Sequence, residues 1–168
     1  MKDIKLSDHF SLYELCHTSH AELLHENRVW AWDNREKLRE VALVLLEPIR
    51  LKFGRPVIVS SGARCEALNT KIKGAKDSQH VLCEAADIIV DGLDCLEGST
   101  AVFDWIYKES GIPFGQVIHE FKSGIKNVRP DTIWIHISLG EPHRGRGDCL
   151  EVLTFKNGFY RFIRKGQA

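Results

Sequence analysis

The chain has 168 residues, the size of one ordinary domain with room for a buried core. Its 43% hydrophobic and 27% charged content is typical of a globular protein. The 23 basic and 23 acidic residues balance without a basic stripe, which disfavours nucleic acid as a partner. No apolar run approaches the roughly 20 residues needed to span a bilayer, so we predict no membrane span.

We predict a single domain over residues 1–168, with a lead-in at 1–32 and a C-terminal hairpin at 150–168, and we expect a monomer. The polar start lacks the apolar core of a secretory signal, so we expect synthesis in the cytoplasm. The 5 cysteines are odd in number and irregularly spaced, which argues against a disulfide framework.

The first half of the sequence predicts mainly helix. The strongest helical periodicity covers residues 33–53, and Asp33 with Glu36 has the spacing of a capping signal. Pro48 is expected to bend this helix or to mark its last turns, and Gly54 is expected to end it.

Strands dominate the second half. The predicted strands cover residues 57–60, 86–90, 114–120, 133–139, 151–155 and 159–163, and shorter helices are predicted at about 65–71 and 98–109. The last two strands form a hairpin turned at Asn157-Gly158, and polar loops cover 121–132 and 140–149. This order predicts an α+β fold, an antiparallel sheet with helices packed on it.

Two histidines and one aspartate are the most informative residues. His80 and Asp87 lie where a polar loop runs into an apolar strand, and His136 lies in a run that alternates like a strand. Imidazole nitrogen and carboxylate oxygen are ligands that Zn²⁺ accepts at about 2.0–2.2 Å. Three protein ligands with an open fourth position are typical of catalytic zinc. The sequence therefore predicts a zinc hydrolase with one Zn²⁺ per chain.

Four segments carry a resemblance to a known family: residues 60–64, 67–69, 78–88 and 134–138. In this order they resemble the zinc D-alanyl-D-alanine carboxypeptidase family, most closely its compact phage-type branch of peptidoglycan peptidases. The wider superfamily includes the Hedgehog signalling domain, so the resemblance implies a Hedgehog/DD-peptidase-like fold. The resemblance does not extend to the C-terminal hairpin.

The resemblance implies roles for individual residues. His80, Asp87 and His136 match the zinc ligands of the family. Arg64 matches the arginine beside the metal, which polarises the scissile carbonyl or holds a substrate carboxylate. Glu120 matches the acidic residue before the last ligand strand, and we assign it the role of catalytic base.

Plainer interpretations remain open for these positions. Arg64 would otherwise pair with a carboxylate at a helix start, and Glu120 would be a surface carboxylate at a strand end. Asp131 is a weaker candidate base. Ser61 and Trp134 are assigned with Arg64 to the substrate-binding surface, although packing as a wall or core residue is the commoner role for such a tryptophan.

Two positions depart from the family pattern. Cys83 stands where the family usually has glycine, so a positive φ there would strain the backbone, and a thiol near zinc would bind it or oxidise. Trp134 stands where some members have a histidine, which leaves the base role to Glu120. His119 alternates to the other face of its strand, so we predict a structural role for it.

We therefore predict a zinc metallopeptidase, carboxypeptidase-like or endopeptidase, that cuts a D-amino-acid-containing bond in peptidoglycan peptides. A phage or prophage protein such as an endolysin is the expected source, acting on the wall after release or as part of a virion. Two alternatives stay open: an inactive zinc-containing binding module, and a structural virion component of the same fold.

Overall fold

A six-stranded sheet with the order β1-β2-β4-β3-β5-β6 forms the centre of the fold. The computed structural model describes residues 2–122, 132–140, 151–156 and 159–165. The strands are β1 (Val57–Ser61), β2 (Ala85–Val90), β3 (Phe114–Lys122), β4 (Thr132–Leu139), β5 (Glu151–Lys156) and β6 (Phe159–Lys165). All six predicted strands are present, and the α+β class is confirmed.

One strand pair departs from the antiparallel sheet that we predicted. Strands β1 to β4 form an antiparallel array, but β5 lies beside β3 and runs parallel to it. Because chain direction reverses from β3 to β4 and again to β5, a strand placed beside β3 instead of β4 must be parallel to β3. The predicted antiparallel hairpin of β5 and β6 is confirmed, and its turn at Asn157-Gly158 lies outside the described residues.

The long helix predicted over residues 33–53 begins earlier, at Leu24, and is divided into several segments. It comprises α1 (Leu24–Asp33), α2 (Arg35–Glu40), a π-helical segment (Val41–Leu46) and α3 (Glu47–Phe53). The capping role predicted for Asp33 is wrong, because this residue ends α1. The π-helical segment precedes Pro48, which cannot donate to a regular helical ladder. Gly54 ends α3 at a φ of 61°, as predicted.

Two further helices follow β1 and β2. Helix α4 (Glu66–Lys71) lies where it was predicted. Helix α5 (Leu96–Lys108) begins before the predicted Gly98, because the Sγ atom of Cys95 accepts a hydrogen bond from the Gly98 amide at 3.3 Å and caps the helix. No described helix is both long and apolar enough to cross a membrane.

The helices and one face of the sheet share a hydrophobic core. Its fully buried members from the helices and strands include Leu38, Val41, Ala42, Leu45, Leu46, Ile49, Ile88, Val117 and Ile137. Full burial of one of the valine, leucine or isoleucine side chains stabilises the fold by about 1.5–3 kcal/mol. Because neighbouring residues of a strand point to opposite faces, Asp87 and His136 lie on the face away from this core.

The turn after β1 packs tightly against the N-terminal segment. The Ala63 amide donates a hydrogen bond to the Leu15 carbonyl oxygen at 2.7 Å. A Cβ atom at Gly62 would overlap the same carbonyl oxygen. Glycine is therefore required at position 62 by close backbone approach, and this turn is held in one position against the core.

His119 lies on the core side of β3, on the opposite face from Glu120, as predicted. Its Nε2 atom is 3.0 Å from the hydroxyl of Ser99, and its ring stacks on Phe103 at a centroid distance of 5.2 Å. Burial lowers the pKa of His119 to about 4, although the charge of Asp104 opposes this shift.

The depressed pKa of His119 predicts a loss of stability in mild acid. The unfolded chain takes up a proton near pH 6.5, whereas the folded chain stays neutral at this position down to about pH 4. The free energy of unfolding should therefore fall between these values, by about 2 kcal/mol at pH 4.5 relative to pH 7.5. Urea denaturation of the metal-free wild type and of His119→Gln at both pH values measures this difference. Equal pH dependence in the two proteins would contradict the prediction.

Candidate metal centre

The sheet and the preceding loop bring the three predicted ligands together. Asp87 on β2 lies directly opposite His136 on β4, and His80 lies in the turn that leads into β2. The Oδ1 atom of Asp87 is 3.2 Å from His80 Nε2 and 2.9 Å from His136 Nδ1, and the two nitrogens are 3.2 Å apart. All three side chains are buried and form a group able to hold a metal ion.

Each candidate histidine ligand has an oxygen beside its outer ring nitrogen. The Nδ1 atom of His80 lies 2.8 Å from the Gly62 carbonyl oxygen, and the Nε2 atom of His136 lies 2.8 Å from the side-chain oxygen of Gln79. Both oxygens can accept a proton donated by these outer nitrogens, and in that tautomer the inner nitrogens present lone pairs to a metal. Gln79 thus contributes an outer hydrogen bond to a candidate ligand.

Two nitrogens and one carboxylate oxygen therefore lie about 3 Å from one another. Such an arrangement needs either a proton shared with the carboxylate or a cation between the atoms. Two imidazoles and one carboxylate are a donor set that zinc accepts in tetrahedral sites, and the outer hydrogen bonds match those that usually orient metal-bound histidine. The residues present therefore fit one divalent metal ion.

The charge states of the group also suit metal binding. Burial lowers the pKa of His80 below its ordinary value, although the neighbouring Asp87 opposes this. Burial works against the charged form of Asp87, but without a metal the charge of His80 and hydrogen bonds donated by His136 and His80 outweigh it and hold the pKa of Asp87 well below the usual range. At neutral pH, His80 is neutral and Asp87 is ionised, which are the forms that bind a metal.

Arg64 holds the second oxygen of Asp87. Its Nη2 atom donates to Asp87 Oδ2 at 2.8 Å, and its Nε atom donates to the Ser61 hydroxyl at 2.8 Å. Burial lowers the pKa of Arg64, but the charge of Asp87 opposes this shift. Arg64 does pair with a carboxylate, and that carboxylate is a candidate metal ligand. The substrate contacts assigned to Arg64 and Ser61 stay predictions.

Glu120 and Trp134 lie opposite each other on β3 and β4, on the same face of the sheet as His136. The Trp134 indole hydrogen-bonds to the Glu120 carboxylate. Burial raises the pKa of Glu120, the charge of Asp87 raises it further, and His136 and other neighbours lower it. The result is a half-buried carboxylate with increased proton affinity, in electrostatic contact with the metal group. Substrate binding by Trp134 stays a prediction.

Cys83 has the positive φ expected from the family glycine. Its φ is 57°, and its side chain is fully buried in the hydrophobic core. Burial raises the pKa of the thiol to about 12, so it is neutral. Among the described residues the potential ligand group comprises His80, Asp87 and His136, and Cys83 packs in the core instead.

The N-terminal helices anchor the loop that carries His80, which the sequence did not indicate. The Trp30 indole on α1 donates to the Val81 carbonyl at 3.2 Å. Lys37 on α2 donates to the Leu82 carbonyl at 3.2 Å and to the Glu84 carboxylate at 3.1 Å. The partners of both residues lie far along the chain, so local sequence patterns do not indicate these bonds.

Asn27 on α1 is a further buried polar residue that the sequence analysis missed. Asparagine is a weak helix former and is usually exposed, so the only clue in the sequence is an asparagine inside a helix. The candidate base Asp131 and residues 141–150 lie outside the described part of the chain.

Comparison with known families agrees with this geometry. A model of the peptidase M15 family matches residues 14–112, more than half of the chain. The matched stretch includes His80 and Asp87 and ends before Glu120 and His136. No curated protein matches the chain. The match confirms the resemblance to the zinc D-alanyl-D-alanine carboxypeptidases, and the chain belongs to the peptidase M15 family of zinc-dependent metallopeptidases.

Proposed function

We propose that this protein is a zinc peptidase that hydrolyses a D-amino-acid-containing peptide bond in bacterial peptidoglycan. The convergence of three potential ligand atoms from His80, Asp87 and His136 is the observation that carries the proposal. Membership of the M15 family supports a peptide of the cell wall as substrate. We place the protein in a phage or prophage, made in the cytoplasm and reaching the wall after release or as part of a virion.

Each site residue has a role in this reaction. His80, Asp87 and His136 would hold one zinc ion, which supplies a Lewis acid that polarises the scissile carbonyl and acidifies the attacking water. Glu120 accepts the proton of that water and passes it to the leaving amine, for which its raised pKa suits it. Arg64 orients Asp87, and its planar guanidinium suits a carbonyl or terminal carboxylate of the substrate.

The inactive binding module drew its main support from Cys83. Because this thiol is neutral, buried in the core and outside the ligand group, that support is lost. Glu120 lies on the same face of the sheet as His136, two residues along the neighbouring strand from the position opposite it, which supports its proposed role as proton acceptor. The peptidase is therefore the function that the site supports best.

Removal of a ligand should abolish zinc retention. We expect about one zinc per chain in the wild type and almost none in His80→Ala or His136→Ala, because two remaining ligands leave the site open to water. Metal analysis after dialysis measures the content. His119→Gln is the matched control, since it removes a buried histidine on the other face of the sheet and should keep the zinc. If only His119→Gln lost its zinc and the two ligand variants kept theirs, the assignment of the ligands would be contradicted.

Glu120→Gln should keep zinc and lose turnover. The amide preserves the size of the side chain and an acceptor for the Trp134 indole but cannot take a proton. Loss of a general base typically lowers the rate 10²–10⁴-fold, so release of peptides from purified peptidoglycan should fall at least about 100-fold. Mass spectrometry of the wild-type products identifies the bond that is cut. Full activity of Glu120→Gln would refute the assignment of the base.

Gly62→Ala should weaken both the fold and zinc binding. The added methyl overlaps the Leu15 carbonyl, and relief of this overlap moves the Gly62 carbonyl that orients His80. We expect a loss of about 2 kcal/mol in unfolding free energy and roughly 10-fold weaker zinc binding. Gly54→Ala is the control, because it strains a left-handed helix end with open space around it and should cost about 1 kcal/mol without weakening zinc binding. Unchanged zinc affinity in Gly62→Ala would contradict the role of this carbonyl.

A further inference from the structure

Asn27 on α1 forms hydrogen bonds to the backbone on both sides of Arg64, the arginine of the metal site. Its side-chain nitrogen donates to the Ala63 carbonyl at 3.0 Å and to the Cys16 carbonyl at 2.8 Å. Its side-chain oxygen accepts from the Cys65 amide at 2.7 Å. The residues immediately before and after Arg64 are thus bonded to one buried amide, which ties them to the N-terminal segment.

The turn that contains Gly62 and Arg64 is also hydrogen-bonded to the candidate ligands. The Arg64 amide donates to the His80 carbonyl at 3.1 Å, and the Gly62 carbonyl accepts from the His80 ring. The Arg64 side chain reaches Asp87 Oδ2 at 2.8 Å. Because a hydrogen bond weakens steeply with distance and angle, a small shift of the backbone around Arg64 would release Asp87.

Packing alone does not require an amide at this position. Ala31 lies one helical turn beyond Asn27 on α1, and it is equally buried and fully apolar. A buried amide is costly unless its donors and acceptor are satisfied, and here they are satisfied by three backbone groups of the chain. What Asn27 adds is a defined geometry at the turn, which an apolar side chain would not supply.

We propose that Asn27 is a positioning residue of the metal site, acting through Arg64 on the Asp87 carboxylate. It fixes the backbone on both sides of Arg64, so that the guanidinium meets Asp87 Oδ2 and leaves Oδ1 facing the two histidines. This inference rests on the proposed function for the identity of the ligands. It predicts that loss of Asn27 weakens zinc binding only while Arg64 is present.

A double-mutant cycle on zinc affinity tests this coupling. The zinc dissociation constant of the wild type, Asn27→Ala, Arg64→Ala and the double variant is measured by competition with a chelating dye, without substrate. We expect Asn27→Ala to weaken binding about 10-fold in the presence of Arg64 and less than about twofold in its absence. Equal losses in both backgrounds, or no loss in either, would overturn the proposal that Asn27 acts through Arg64.

Two further variants complete the experiment, one as a control and one as a substitute for Asn27→Ala. Asn69→Ala is the matched control, because Asn69 is a buried amide on α4 that bonds to the Ala75 carbonyl, and it should change zinc affinity less than about twofold. Asn27→Ser leaves room for a water in place of the amide and replaces Asn27→Ala in the cycle if the alanine variant does not fold. A wild type that binds zinc but cleaves no peptide contradicts only the proposed function, whereas equal losses contradict only the role of Asn27.

Discussion

The buried carboxylate of Asp87 imposes the main constraint on this structure. An ion of this size costs several kcal/mol to remove from water unless partners surround it. One oxygen meets Arg64, and the other faces the inner nitrogens of His80 and His136. The second oxygen therefore needs either a proton donated by a histidine or a cation among the three atoms. Metal binding and the stability of this part of the fold are therefore coupled.

The need to compensate the buried Asp87 carboxylate also explains why the turn at residues 62–65 is hydrogen-bonded to several parts of the chain. It must deliver the guanidinium of Arg64 to Asp87 and the carbonyl of Gly62 to His80. Its backbone is fixed from the N-terminal side by Leu15 and Asn27. The metal site thus lies on one face of the sheet, but its geometry is set by a segment and a helix that contribute none of the three ligands.

Several elements follow directly from sequence patterns. Strand alternation placed His119 on the opposite face from Glu120, because the period of two does not depend on tertiary context. Gly54 ends its helix because only glycine adopts a positive φ without strain. The donor types of the three candidate ligands needed no structure at all to be recognised.

Other elements could not be predicted from local patterns. Helix α1 has no apolar stripe, because its buried residues are Asn27 and Ala31, and therefore it gave no periodic signal. The parallel pairing of β3 and β5 depends on where the chain returns to the sheet after β4, which strand periodicity does not encode. The bonds of Asn27, Trp30 and Lys37 join residues far apart in the chain, so only the folded backbone reveals them.

Cys83 shows how a departure from a family pattern can be locally neutral. A left-handed conformation costs a non-glycine residue about 1–2 kcal/mol, so cysteine at a φ of 57° is strained. Glycine at the same position would lose more conformational entropy on folding, by roughly 0.5–1 kcal/mol. It would also leave a gap where the thiol now packs, and each buried methylene-sized group contributes about 0.8 kcal/mol. The two effects nearly offset the strain, and the Cys83 amide still donates to the His80 carbonyl at 3.2 Å. The loop therefore keeps the shape that presents His80 with cysteine in place of glycine, and the substitution by itself does not argue against an active site.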